Sequence, residues 1–286
     1  MKKPKFSILL PTKNRLQLLK SCINSVLEQN FNDFELIVSD NNSKDNTQKY
    51  CKSIFDSRLK YFRLNQDHPV TFNWNNAYSK ARGEYIIIIG DDDYLTKNYL
   101  AKVNEQISNQ AEEIIIVNQA RYHHQDYEDL NFRNKLILRK YSNKTFKIKS
   151  SKYLSDFFNF IKTFHSASIT IKKSISDTII DSGEFGPYKE PFPDYTAIFR
   201  AISLVDHISY IDSPLLIAGV SSMGCGIQAQ TDRKKYWNDE VSTKFSVVPP
   251  ISGDFFINYY YISQKIVQSK IKTMFLNQTS KDIWNY

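Results

Sequence analysis

The chain has 286 residues, of which 41% are hydrophobic and 14% aromatic, and it carries a formal net charge of +8. This length and composition exclude an intrinsically disordered chain and fit one large domain or two small ones. Its three cysteines lie far apart without metal-ligand spacing, which argues against a disulfide framework or a zinc site. The apolar stretch Phe6–Leu10 is too short for a secretion signal, and no run approaches the roughly 18–20 residues of a spanning helix. We therefore expect a cytoplasmic protein.

Five short apolar runs, each followed by polar or turn-forming residues, predict the strands of a mostly buried parallel sheet. They are Phe6–Leu10, Phe34–Ser39, Tyr61–Leu64, Tyr85–Ile89 and Ile114–Asn118. Between the first two, apolar residues at helical spacing from Leu16 to Leu27 predict an amphipathic helix. Strand and helix alternate through residue 118, which predicts a doubly wound α/β domain with its ligand crevice at the carboxyl ends of the strands.

After residue 118 the alternation fades. We expect a loop at Arg121–Asn134 and a strand at Ala167–Ile171. Two helices are expected, at Ser150–Phe164 and at Tyr195–Val205. The chain is therefore divided into two halves of one domain, 1–118 and 119–225, and a C-terminal helical extension, 226–286.

The positive charge is concentrated in the middle of the chain. Between Arg133 and Lys173 there are eleven Lys or Arg residues and one acidic residue, Asp156. Such a face can meet nucleic acid, anionic lipid or a phosphorylated ligand, or it can be an ordinary solvated surface. Because no nucleic-acid-binding motif or stacking platform accompanies the charge, nucleic acid is not an expected partner.

From Phe255 onward, apolar residues at helical spacing alternate with lysines and predict a basic amphipathic helix. This helix would pack on the domain, join a second copy of the chain into a homo-oligomer, or lie on an anionic membrane surface. The last alternative would make the protein peripheral on the inner face of the cytoplasmic membrane.

Three consecutive aspartates, Asp91, Asp92 and Asp93, directly follow the strand Tyr85–Ile89. They repel one another, and at the mouth of a buried strand they are poorly hydrated unless a cation lies among them. Mn²⁺ or Mg²⁺ fits, because hard cations prefer oxygen ligands. On an extended segment Asp91 and Asp93 share one side, so Asp93 is the best metal ligand, Asp91 binds ribose or metal, and Asp92 supports either. The alternative is an acidic loop that caps the helix beginning near Thr96.

The turn Pro11-Thr12-Lys13-Asn14-Arg15 joins the first strand to the first helix. Free backbone N–H groups at such a helix start favour an anion or a polar ring. Asn14 can also simply cap the helix, which is compatible with binding.

Taken in order, four segments resemble the inverting family-two glycosyltransferases, which have the GT-A fold and transfer sugars from nucleotide diphosphates. These segments are FSILLPTKNR, LIVSDNNSKDNT, ARGEYIIIIGDDDYL and FPDYTAIFRA. The resemblance is dense over residues 6–95 and thin afterwards. It implies a GT-A-type α/β fold with a mostly parallel sheet flanked by helices, a nucleotide-sugar-binding half at 1–118 and an acceptor-binding half at 119–225.

On the donor side, the resemblance implies that the Pro11–Arg15 turn lines the nucleotide pocket. Asp40, at the end of the second strand, would accept a hydrogen bond from the base imide, as uracil would offer. Asn73 lies among residues that would supply further donor contacts. Two positions depart from the family: Lys13 stands where an aromatic residue is common, and Asn41 replaces a second aspartate.

Inversion requires a carboxylate that removes the acceptor proton on the face opposite the leaving group. The resemblance places this base about a hundred positions after the metal motif, just before a helix, where Asp194 stands. Pro193 occupies the place of a second acidic residue, and Glu190 is nearby. Asp194 can alternatively be a helix N-cap. His165 begins a predicted strand on the same cleft and would contact a phosphate, the metal or the acceptor, or be structural.

The function implied is transfer of a hexose or N-acetylhexosamine from a nucleotide diphosphate, with UDP the expected carrier. The acceptor would be an oligosaccharide or lipid-linked glycan of the cell surface, such as capsule, O-antigen or lipooligosaccharide. A nucleotide-sugar or carbohydrate-binding module that has lost catalysis is the alternative.

Overall fold

The computed structural model describes residues 3–158, 164–189, 193–222 and 224. Within them a ten-stranded mixed sheet is flanked by helices on both faces. The strands are β1 Phe6–Thr12, β2 Phe34–Asp40, β3 Leu59–Arg63, β4 Tyr85–Ile88, β5 Tyr94–Leu95, β6 Ile114–His123, β7 Lys135–Ile137, β8 Thr145–Lys149, β9 Ile169–Lys172 and β10 His207–Val220. The helices are α1 Leu16–Leu27, α2 Thr47–Lys52, α3 Val70–Ser79, α4 Tyr99–Gln110, α5 Ser150–Phe158, α6 Lys173–Thr178 and α7 Pro193–Ile202.

The strand order is β3-β2-β1-β4-β9-β6-β10-β5, with β7 added beside β6 and β8 beside β10. The first four strands are parallel, as their apolar runs predict, and β9 then runs antiparallel between β4 and β6. Parallel strands place their carboxyl ends at one edge of the sheet, so the segments after β1, β2 and β4 meet there.

Side chains that alternate along the strands divide the core into two layers. Ile87 and Ile89 pack on the face covered by α1 and α4, whereas Ile86 and Ile88 pack on the face covered by α3, α5 and α7. Burial on both faces explains the unbroken apolar run of β4, which would alternate with polar residues in a half-exposed strand.

The predicted fold class is confirmed for the described residues, and the five predicted strands are all present with shifted ends. The predicted loop at Arg121–Asn134 is wrong at its start, because β6 continues to His123. The boundary at residue 118 also falls inside β6, so the two halves share one sheet. The predicted extension at 226–286 and its amphipathic helix lie outside the described residues. In the part that the structure describes, no helix is long and apolar enough to span a bilayer.

Candidate active site

The carboxyl ends of β1 and β4 bring the Pro11–Arg15 turn against the three aspartates. Thr12 Oγ1 donates a hydrogen bond to Asp91 Oδ2 at 2.7 Å, and both side chains are buried. Asn14 turns the chain at φ 55°, a conformation that asparagine tolerates well, and its Oδ1 accepts the Lys44 N–H at 2.6 Å. This turn directs Arg15 back toward the aspartates.

Arg15 joins two of the three aspartates. Its Nη1 donates to Asp91 Oδ1 at 2.5 Å and its Nη2 donates to Asp92 Oδ2 at 2.8 Å. Such charge-assisted bonds are stronger than neutral ones and fix the guanidinium plane. The Arg15 guanidinium therefore holds the turn after β1 against the turn after β4.

Asp93 has a different environment from its neighbours. Its Oδ2 accepts the Gly90 N–H at 2.7 Å, and its Oδ1 accepts the Gly219 N–H on β10 at 3.1 Å. His165 Nδ1 lies 3.7 Å from Asp93 Oδ2 and accepts the Ala167 N–H at 3.3 Å. Because Nδ1 accepts that bond, the neutral ring carries its proton on Nε2. A metal role for His165 therefore requires this arrangement to change.

The charges of this cluster fit a divalent cation. Burial raises the pKa of Asp91 to about 7 although Arg15 opposes the rise, and burial raises the pKa of Asp93 to about 6 although His165 opposes it. Three carboxylates and the Arg15 guanidinium sum to a formal charge of −2, which one Mg²⁺ or Mn²⁺ would neutralise.

Within the described ranges, no three His, Cys, Asp or Glu side chains are already grouped as a metal site. Mg²⁺ is usually held by one or two carboxylates together with substrate phosphates. The donor set therefore fits a cation that arrives with a diphosphate, with Asp93 and Asp91 as its protein ligands.

Asp194 is the second residue of α7, inside its first turn, and is partly buried. Burial raises its pKa to about 6, whereas the Tyr195 N–H and His165 act in the opposite direction. His165 therefore lies close enough to influence both Asp93 and Asp194. The stacked rings of Phe164 and Tyr195, with centroids 4.9 Å apart, fix the segment of His165 against the start of α7.

Two predicted donor contacts are buried in supporting positions. Asp40 is fully buried, with Oδ1 accepting the Ser43 N–H at 2.8 Å and Oδ2 accepting the Tyr61 hydroxyl at 2.6 Å. Asn73 is also buried and exchanges hydrogen bonds with Ser39. In this conformation Asp40 holds the loop after β2 through Ser43, Asn73 ties α3 to β2, and neither side chain is exposed to solvent.

The exposed part of the turn contacts Asp67 and not the three consecutive aspartates. Lys13 Nζ forms an ion pair with Asp67 Oδ2 at 2.8 Å, and Asn42 Nδ2 donates to the other oxygen of Asp67 at 3.0 Å. Pro11 is buried within β1. Of the predicted site, the structure thus brings together Thr12, Arg15 and the three aspartates, with His165 beside Asp93 and close enough to influence Asp194.

Sequence reasoning missed Gly219. A Cβ at this position would lie 2.0 Å from the carbonyl oxygen of Asp92, so only glycine lets β10 approach the aspartate turn. His124, directly after the neighbouring strand β6, places Nε2 3.3 Å from the same oxygen. A glycine inside an apolar run often marks such a close backbone approach, and this was the available signal.

Replacing Gly219 by alanine should destabilise the fold by about 1–3 kcal/mol, because β10 or the aspartate turn must shift to admit the new methyl group. Thermal unfolding measures the loss. Ser213→Ala, half-buried on the same strand, is the control and should lose less stability, because it removes one hydrogen bond to Asn143 and causes no clash. Equal melting temperatures for Gly219→Ala and the control would show that the contact is not tight.

The family model described as "Glycosyl transferase family 2" matches residues 7–170. A Campylobacter jejuni protein named GalNAc(5)-diNAcBac-PP-undecaprenol beta-1,3-glucosyltransferase is 39% identical over 107 residues, which are 36% of this chain and 34% of that protein. The Escherichia coli protein named UDP-Glc:alpha-D-GlcNAc-diphosphoundecaprenol beta-1,3-glucosyltransferase WfgD is 30% identical over 125 residues, 44% of this chain and 46% of its own length. The chain thus spans about a third to a half of these relatives.

Among solved structures, residues 1–349 of Staphylococcus aureus TarS in complex with UDP-GlcNAc superpose with a TM-score of 0.61. That likeness covers 79% of this chain and 61% of the TarS chain at 20% identity. At this identity it shows the fold, which is the GT-A fold predicted from the motifs.

Proposed function

The chain belongs to glycosyl transferase family 2, and from this membership we propose that it transfers a sugar from a nucleotide diphosphate to a glycan acceptor with inversion. One observation carries the proposal. His165 Nδ1 lies 3.7 Å from Asp93 in the buried carboxylate cluster, and His165 is also close enough to influence Asp194, a further carboxylate whose pKa burial raises. Perturbed carboxylates that face one cleft are typical of catalytic sites.

The proposed donor is a UDP-linked hexose or N-acetylhexosamine. Support comes from two similar proteins: the TarS neighbour is in complex with UDP-GlcNAc, and the name of WfgD includes UDP-Glc. Thr12 and Arg15 would contact the nucleotide together with Asp91 and Asp92. Each Asp40 oxygen already accepts one hydrogen bond, from the Ser43 N–H or from the Tyr61 hydroxyl. The proposed contact with the base therefore requires one of these oxygens to accept a second hydrogen bond.

A divalent cation, Mn²⁺ or Mg²⁺, is proposed as cofactor, held by Asp93 and Asp91. When bound, it would neutralise negative charge on the departing diphosphate. Arg15 holds the turn after β1 against this cluster, so the nucleotide would meet an ordered surface.

Asp194 is proposed as the general base. Its carboxylate would take the proton of the acceptor hydroxyl as that oxygen forms a bond to the anomeric carbon and the bond to the diphosphate breaks. The nucleoside diphosphate leaves with the electron pair, and a single displacement inverts the anomeric centre. When its ring is protonated, His165 would help to keep Asp194 ionised, because the positive charge acts against the effect of burial.

The proposed acceptor is a lipid-linked glycan of the cell surface. The names of the C. jejuni and E. coli relatives both specify acceptors on undecaprenyl diphosphate. Capsule, O-antigen and lipooligosaccharide assembly are the processes in which such a transfer would act.

Calorimetric titration with UDP tests the donor site. With Mn²⁺ present, UDP should bind, because the ion offsets repulsion between the carboxylates and the diphosphate. With EDTA in place of Mn²⁺, binding should fall below detection. Equal affinity under both conditions would overturn the metal assignment. Turnover of UDP-glucose or UDP-N-acetylglucosamine with an undecaprenyl-linked acceptor then separates an enzyme from a module that only binds.

A further inference from the structure

Residues 130–149, called the basic ribbon, form an exposed segment that contains β7 and β8. The ribbon has seven Lys or Arg residues and no Asp or Glu. None of its residues is buried. Across the residues that the structure describes, Lys147 is the member of this set with a carboxylate partner, Glu112, at 3.2 Å. The ribbon is therefore a strongly positive surface with little compensation.

The ribbon also exposes large apolar side chains. Ten such side chains are exposed in the described part of the chain, and six of them belong to the ribbon, with 39–71% of their surface accessible. They are Leu130, Phe132, Leu136, Leu138, Tyr141 and Phe146. Concentration of exposed apolar side chains in one segment marks an interaction surface, whereas scattered ones need no explanation.

The strand pairings show on which face of the sheet two of these side chains, Leu136 and Phe146, lie. Leu136 lies opposite Tyr122, which shares a sheet face with Ile116 because the two are six residues apart on β6. Phe146 lies opposite Tyr210, and Tyr210 lies opposite Ile116. Leu136 and Phe146 therefore point to the face on which α7 packs, and α7 carries Asp194 in its first turn.

We propose that the basic ribbon docks on the surface of an anionic phospholipid bilayer. Arg139, Lys140 and Lys144, in the loop between β7 and β8, would meet the headgroup charges, and the apolar side chains would enter the boundary between headgroups and acyl chains. Lys135, Lys147 and Lys149 alternate with Leu136 and Phe146 along the two strands and therefore point to the opposite face of the sheet. The surface assigned here differs from the C-terminal amphipathic segment suggested by sequence.

The mixture of side chains favours lipid over other partners. Nucleic acid would be met by basic residues interleaved with planar rings that stack on bases, whereas three of the six apolar residues here are leucines. A second copy of the ribbon would place two surfaces of the same charge against each other, which is unfavourable.

Docking would place the face of α7 toward the membrane. This consequence rests on the proposed function, because a lipid-linked acceptor would then reach Asp194 from the bilayer side. The lipid contact itself is independent of catalysis, so the two can be tested separately.

Flotation with vesicles of phosphatidylglycerol and phosphatidylcholine, compared with phosphatidylcholine alone, tests the contact on the full chain. The unchanged protein should float with the anionic vesicles and lose binding in high salt. The triple variant Arg139→Gln, Lys140→Gln, Lys144→Gln should partition about a hundredfold less, given the usual effect of each basic residue. Lys49→Gln, Lys60→Gln, Lys97→Gln removes the same charge from exposed positions outside the ribbon and should float normally.

The apolar contribution needs its own pair of variants. Leu136→Ser with Leu138→Ser should weaken flotation, whereas Phe55→Ser with Leu204→Ser, also exposed, should not. Three results would each overturn the proposal. The ribbon variants could float as well as the controls, or the unchanged protein could bind phosphatidylcholine vesicles as well as the anionic ones. The third result is a dimer or an RNA complex that depends on the ribbon, without lipid binding. UDP titration of the same samples separates failure of the lipid contact from failure of the proposed function. If the unchanged protein floats normally but does not bind UDP, only the proposed function is refuted.

Discussion

Replacing Asp194 by asparagine should lower sugar transfer by about 10²–10⁴-fold, the usual contribution of a positioned general base. UDP affinity should hardly change, because the cation and nucleotide are held by the other carboxylates. Asparagine keeps the size of the side chain and can still accept backbone hydrogen bonds in the first turn of α7, so the melting temperature should stay close to that of the unchanged protein.

The control is Asp206→Asn, which removes an exposed carboxylate four residues after α7 ends and should transfer at the normal rate. Transfer rate, UDP affinity and melting temperature are measured on one preparation of each variant. Normal transfer by Asp194→Asn would move the base to another group. His165 then becomes the first candidate among the described residues, whereas Glu190 lies outside them.

Replacing Asp93 by asparagine should lower transfer by at least about 10²-fold and weaken Mn²⁺-dependent UDP binding. The structure adds a cost that the sequence does not indicate. Each oxygen of Asp93 accepts a backbone N–H, from Gly90 and from Gly219, and asparagine has one oxygen acceptor for two donors. An unsatisfied buried donor costs about 1–3 kcal/mol, so the variant should also melt at a lower temperature.

The gain in melting temperature on adding Mn²⁺ and UDP separates the two effects, because a ligand that binds only the folded state raises its stability. The unchanged protein should gain stability and Asp93→Asn should not, whatever their starting values. Asp206→Asn serves as the control, since it removes an exposed carboxylate outside the cluster and should still gain stability from the ligands. An undiminished gain in Asp93→Asn would mean that Asp93 is not a metal ligand.

Local patterns were sufficient to predict the donor half of the sheet and its aspartate turn. The runs that form β1, β2 and β4 are buried on both faces, so composition alone marks them. Thr12, Arg15 and the aspartates follow these strands directly, and parallel pairing must then gather them at one edge. These predictions needed no knowledge of distant contacts.

Other features depend on pairings between distant parts of the chain. Gly219 lies 127 residues after Asp92 in sequence, and nothing near it indicates that β10 will touch the aspartate turn. β10 also contains Pro214, which usually argues against an interior strand, and the sheet accommodates it with register shifts on either side. The burial of Asp40 depends on the Tyr61 hydroxyl, from a neighbouring strand, and the motif at Asp40 carries no sign of it.

The position of β9 has a consequence for how the protein can be divided. β9 consists of residues 169–172, yet it lies between β4 and β6, which both come before it in the sequence. A fragment ending near residue 118 would hold the donor motifs but leave β4 and β6 without the strand that joins them. Unpaired edges of apolar strands recruit other chains. Such a fragment should therefore aggregate on expression, and donor binding should return only when the remaining chain is supplied in the same cell.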